Sequence, residues 1–85
     1  MGELRRRATA LRYESGRDAA PKVVATGAGH VADRILAAAR EAGVPVREDP
    51  MLVQALEALQ LEQEIPEELF AAVAEALVWA YRVSR

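Results

Sequence analysis

Cysteine is absent from this chain of 85 residues, and that absence removes two classes of protein. A disulfide-stapled scaffold and a thiolate metal site both need it, and a reducing, cytoplasmic setting suits what remains. Long hydrophobic runs are missing as well. No apolar stretch approaches the ~18 residues needed to cross a bilayer, so no membrane span is expected. The start, MGELRRRATALRYE, has arginines with no apolar stretch or small-residue cleavage site behind them, unlike a signal peptide. Histidine occurs once, at His30. Paired with Asp33 at i+3 it is the one metal site to weigh, and a solvated residue in the first turn of a helix is the simpler reading. Ser15 and Ser84 have no base near them in sequence, which argues against nucleophilic catalysis. No low-complexity run, internal repeat or interdomain linker is present.

What is present is globular: 52% hydrophobic and 28% charged residues, enough for one domain with a single modest core. Charge is unevenly placed. Residues 1–47 carry nine basic against five acidic side chains, a balance of +4, and residues 48–85 carry two against eight, a balance of −6, giving −2 for the chain. The Arg5-Arg6-Arg7 cluster lacks the interleaved aromatics of a nucleic-acid surface and reads as a solvated end. The acidic half reads as the outer faces of helices. Glu64, Glu67 and Glu68 need no catalytic reason near a helix start, where acids are favourable.

Periodicity sets out the elements. Residues 8–14 alternate as a strand, SGRD is a turn, and Pro21 opens a second strand where its missing N–H costs least. Residues 29–42 have helical spacing, with Val31, Ile35, Ala38 and Ala42 as the apolar side. Gly43 is a helix stop and VPV (44–46) a short strand. Asp49-Pro50 is an N-cap followed by proline at N1, opening a helix with Leu52, Ala55, Leu56 and Leu59 inward. A short extended link is expected around Leu61–Gln63. The last helix begins in IPEELF with Pro66 in its first turn, and repeats Val73, Leu77 and Tyr81, with Phe70 and Trp79 on flanking faces. Trp79 and Tyr81 read as packing residues rather than a ligand box. Strands alternating with helices predict an α/β (α+β) fold: a small mixed, partly parallel sheet of about four strands flanked by helices, over residues 8–85, with 1–7 a flexible lead-in.

One motif points elsewhere. Val23-Val24-Ala25 leads into Gly27-Ala28-Gly29-His30-Val31-Ala32, which fits G-x-G-x-x-A, and Glu48 stands 19 positions after Gly29. That is the outline of a dinucleotide fingerprint, so a nucleotide- or phosphate-binding regulatory domain built on the Gly27-Ala28-Gly29 turn is the alternative reading. A dinucleotide also needs a crevice between neighbouring βα units, more sheet than this chain can supply.

Three blocks in order, LRYESGRDAAPKVVATGAG, then GVPV and the residues to Leu56, then QEIPEELFAAVAEALVWAYRV, resemble the cytoplasmic C-terminal domain of the FlhB family. These are the substrate-specificity-switch proteins of flagellar and type III export machines. The resemblance runs from about Ala8 to Val83 and implies a small α/β domain that binds proteins, with no enzymatic activity, no cofactor and no metal. It implies partners among export-apparatus proteins or secreted flagellar substrates, and a cytoplasmic place, peripheral at the apparatus. It implies that the family's substrate-binding patch falls on Ala20, Pro21, Ala74 and Leu77, where periodicity alone would put Leu77 in the core. In that family the glycines serve a strand-to-helix turn.

The chain departs from the family twice. The membrane region that precedes the family domain is missing from this sequence. The self-cleaving Asn-Pro-Thr-His is replaced by Glu3, Leu4, Arg5 and Arg6, so there is no asparagine amide to cyclise and no Asn-Pro junction to split. The chain resembles a ready-made product of that cleavage. The purified protein is therefore expected to keep its full mass on prolonged incubation, apart from loss of Met1. A split near residue 3 or 4 in intact mass spectrometry would contradict this.

Overall fold

The computed structural model describes residues 6–14 and 16–83. Its elements are β1 (Arg7–Arg12), β2 (Lys22–Ala28), α1 (His30–Glu41), α2 (Pro50–Glu57), a 3₁₀ turn over Glu67–Leu69, and α3 (Phe70–Val83). The two strands pair antiparallel from Arg7↔Ala28 to Arg12↔Lys22. The register shifts between Ala10 and Leu11, which leaves Val24 without a ladder partner. The hydroxyls of Thr9 and Thr26 bond across the ladder at 3.1 Å.

The sheet is smaller than the sequence suggests. Among the described residues it has two antiparallel strands, in place of about four with parallel pairing. Val44–Val46 is not a strand because Val44 is already engaged in ending α1. The Val44 amide donates to the Ala39 carbonyl at 2.8 Å and the Gly43 amide to the Arg40 carbonyl at 3.2 Å. Gly43 has φ +75°. This is a Schellman stop, which satisfies two helix-end carbonyls and turns the chain away. Val44 and Val46 are left 53% and 41% exposed.

The link expected to be extended around Leu61–Gln63 is a turn, with Glu62 at φ 66° and the Gln63 amide bonded to the Gln60 carbonyl. The chain does meet β2 just beyond. The Glu62 amide donates to the Val23 carbonyl at 2.7 Å and the Ile65 amide to the Pro21 carbonyl at 2.9 Å, around a single antiparallel bridge, Lys22↔Glu64. Pro66, with no N–H, stops that pairing from lengthening.

Behind this bridge lies the core: Val23, Leu52, Leu56, Ile65 and Val73, with Leu11, Leu59, Leu69, Ala76 and Leu77 packed around them. The Asp49 carboxylate caps α2 by accepting from the Leu52 amide at 3.1 Å, which aims Leu52 and Leu56 inward as their spacing requires. On α3 the expected stripe holds at Val73 and partly at Leu77, but Tyr81 is 52% exposed. Eight residues carry α3 ~12 Å beyond Val73, past the end of this small cluster.

α1 packs on both strands, and its inner side is not the one expected. Ala32 is fully buried while Val31 is 48% exposed, and Ala38 and Ala42 face outward. The covered side runs through Ala32, Ile35, Leu36 and Ala39, about one residue round from the expected stripe, and Val31 sits at its edge over Gly27. A Cβ on Gly27 would stand 2.7 Å from the Val31 Cβ and closer still to its Cγ1. Gly29 has a different reason, φ 61° and ψ −127° at the helix N-cap, a conformation that side chains resist. Arg7 opens β1, the Arg6 carbonyl accepts the Gly29 amide at 2.8 Å, and an Arg6–Asp33 ion pair of 3.5 Å lies beside it. Glu3, Leu4 and Arg5 lie outside the described residues.

Two glycine substitutions separate these causes. Gly27→Ala should cost about 1–3 kcal/mol through overpacking. Val31→Ala should recover part of that cost, because it removes the closest atom, so a denaturation double-mutant cycle should show coupling. Gly43→Ala meets open space and should cost about 1 kcal/mol through its φ alone, with no coupling to Val31.

Candidate functional site

The patch residues named by the family resemblance sit on two supports. Ala20 and Pro21 follow a loop closed on itself. The amides of Arg17 and Asp18 donate to the Glu14 carbonyl at 3.0 and 2.8 Å, and the Asp18 carboxylate accepts from the Glu14 amide at 2.9 Å. The Arg12 guanidinium lies 3.6 Å from that carboxylate. So held, the chain delivers Ala20 to a position only 7% exposed, and Pro21 to the start of β2, its carbonyl holding Ile65. Packing therefore accounts for both residues more fully than their sequence context suggests.

Ala74 and Leu77 lie on α3. Leu77 is half-buried against the core, and Ala74 is exposed. Ala74 borders an open depression of about 800 Å³, shared with Ala71, Val78, Trp79, Arg82 and Arg47. Its floor is small and apolar because alanines recur along the outer side of α3. Its rim is basic at two points. Arg47 reaches over from the segment between α1 and α2, with its guanidinium 5.9 Å from the Trp79 ring centre, 3.5 Å from the Glu75 carbonyl and 4.0 Å from the Glu75 carboxylate. Ring face, carbonyl and carboxylate together fix that side chain.

Sequence reasoning missed Arg47. It stands 28 positions from Glu75, and no periodicity joins a loop residue to a distant helix. Trp79, expected to be a packing residue, is half-buried and forms one wall.

The remaining candidates find ordinary roles. Gly27 admits Val31, Gly29 turns the chain, and the Gly29 amide is engaged by Arg6, so fold geometry explains the glycine motif without a phosphate. His30 is exposed, as are Glu64, Glu67 and Glu68. Among the described residues no three His, Cys, Asp or Glu side chains converge on a point that would hold a metal. Ser15 and Ser84 lie outside the described residues.

The hydrogen bond from the Glu14 amide, with lesser attraction from Arg12, Lys22 and Arg17, outweighs burial and holds the Asp18 carboxyl below its ordinary value of 3.8. The folded state thus binds this proton less tightly than the unfolded chain. The stabilisation is complete above about pH 3.8 and drains away as pH falls through the lower folded value. Asp18→Asn should flatten the acid side of a stability–pH curve measured by urea midpoints, its deficit relative to the unmodified protein shrinking as pH falls below about 3.8. An unchanged acid limb would show that Asp18 contributes nothing to it.

Comparison with known proteins gives this geometry a setting. The model of the FlhB HrpN YscU SpaS family matches residues 6–80. The chain is 46% identical over 78 residues to YlqH of Bacillus subtilis, an uncharacterized protein, covering 92% of this chain and 84% of that one. It is 47% identical over 77 residues to the flagellar biosynthetic protein FlhB of Escherichia coli, covering 89% of this chain and 20% of FlhB. It therefore spans about a fifth of that relative. Among solved structures, the cytoplasmic domain of FlhB from Shewanella putrefaciens superposes with a TM-score of 0.84 at 39% identity, over 88% of this chain and 59% of that one. The PscU C-terminal domain gives 0.81 at 34% identity, over 86% and 94%. None of the helices among the described residues is long and apolar enough to cross a membrane. By the extent of these matches and the fold they share, the chain belongs to the FlhB HrpN YscU SpaS family.

Proposed function

We propose that this chain is a non-enzymatic, protein-binding module of the flagellar or type III export apparatus. It acts in the cytoplasm, peripheral to the apparatus, and contacts export substrates or the export gate. The observation that carries this reading is its likeness, over nearly its whole length, to the C-terminal and cytoplasmic domains of export proteins. The mechanism is contact rather than chemistry. Ala74 and the exposed edge of Leu77 offer the apolar contact on α3, and Ala20 and Pro21 hold the start of β2 next to the Lys22–Glu64 bridge.

Such a patch gives modest affinity. At ~25 cal/mol per Å² over a few hundred Å², the gross gain is several kcal/mol before association costs. Calorimetry against the soluble gate domain and early secreted substrates of the source organism should give micromolar affinity or weaker. Ala74→Asp should weaken it about tenfold or more, ~1.4 kcal/mol, with an unchanged far-UV circular dichroism spectrum. Leu77→Asp should damage folding as well, and Ala20→Asp is a poor probe because its site is buried. Undiminished affinity in Ala74→Asp would move the contact off α3, and no binding to any export component would reject the proposal.

A further inference from the structure

α3 exposes more apolar surface than its place in the core explains. Phe70, Val78 and Tyr81 are 46%, 48% and 52% exposed, and Ala74 between them is also exposed. Their spacing of four, four and three places all four within about 80° of the helix circumference. Leu77, half-buried, borders this strip, and Val73 and Ala76 face the core. Charge is segregated at the two ends. Glu67 and Glu68 are exposed just before the helix, and Arg82 is exposed in its last turn. Glu75 lies off the strip, toward Arg47.

We propose that this face docks antiparallel on α3 of a second copy of the chain. The pattern is self-complementary about a point between residues 75 and 76. Reversing the helix there brings Phe70 level with Tyr81 of the other copy, Ala74 level with its Leu77, and Glu68 within one residue of its Arg82. Acidic start thus meets basic end at both edges, and the two helix dipoles oppose favourably. The smallest side chain of the strip, Ala74, falls near the two-fold axis, where it lets the helix axes approach to ~8 Å. A two-fold contact requires this match of a surface with itself.

One helix pair buries less than the ~1,600 Å² of a standard interface, so the dimer is weak, with dissociation constants of roughly tens to hundreds of micromolar. It requires no export partner and stands whether or not one is found.

Sedimentation equilibrium of the full chain, from roughly 10 µM to 1 mM, should show the mass rising toward twice that of the monomer. Val78→Asp should abolish the rise while leaving the circular dichroism spectrum unchanged. Arg82→Glu should weaken association roughly threefold to tenfold, and Glu68→Arg combined with Arg82→Glu should restore it, a rescue that docking on some other surface would not give. Because the chain has no cysteine, single-cysteine variants report geometry directly. Ala74→Cys should oxidise to a linked pair by itself, whereas Phe70→Cys should link efficiently only when mixed with Tyr81→Cys. A monomer mass at 1 mM, association unaffected by Val78→Asp, or Phe70→Cys linking by itself as readily as Ala74→Cys would each overturn the proposal. So would association seen only when an export protein is added.

Discussion

Val23 is where the two halves of this chain are fastened together. Its side chain, with no exposed surface, stands at the centre of the cluster built by α2, α3 and Ile65. Its carbonyl takes the Glu62 amide, and two residues earlier the Pro21 carbonyl takes the Ile65 amide. A two-stranded hairpin is marginal by itself in water. This one persists because the helical second half closes over it, pinned by the two bonds that flank the Lys22–Glu64 bridge. The core that results is small, and its smallness decides which parts of the helices find cover and which remain outside.

How far the sequence could be read follows from the same point. The two strands, the three helices and the caps were legible because each rests on residues close together: Asp49-Pro50 opening α2, Gly43 closing α1, Pro66 ahead of α3. The sheet order was not. Val44–Val46 has strand-like residues, but the Schellman bonds that occupy Val44 are a backbone event with no side-chain signature beyond Gly43. The inner side of α1 differs by one residue from its spacing because its orientation is set by packing on both strands, a contact between elements. Leu77 could be assigned to the core edge from spacing alone. That Ala20 is buried could not be foreseen, since it depends on how the loop closed by Glu14 and Asp18 folds back. Ala20, Pro21, Ala74 and Leu77 were named from the family resemblance, whereas nothing in the sequence named Arg47. Its role arises from a crossing between a loop and a helix that lie far apart in the sequence.

The uneven charge of the chain also has a structural sense. Several cations of the first half meet acids of the second: Arg7 with Glu57 at 3.5 Å, Arg12 with Glu62 at 3.6 Å and Arg47 with Glu75 at 4.0 Å. Each pair is at least partly exposed and worth little by itself. Their shared direction follows the division of charge between the basic first half and the acidic second. Arg47 does more than this, since its guanidinium also lies over the Trp79 ring, 5.9 Å from its centre.

α3 then shows how one helix serves two demands. Its inner residues, Val73 with Ala76 and Leu77, are constrained by close packing, where a change of one methylene group is felt. Its outer residues are exposed, and yet they are not the charged set that a purely solvated face would have. Phe70, Ala74, Val78 and Tyr81 are apolar or half-apolar where a purely solvated face would carry lysine or glutamate. Maintaining them exposed raises the risk of non-specific association, and burial within the folded chain does not offset that risk. The proposed pairing of two copies would cover this strip. Because Ala74 occupies the middle of the strip, whichever helix binds there must pack backbone close to backbone, and two such helices cannot occupy it together.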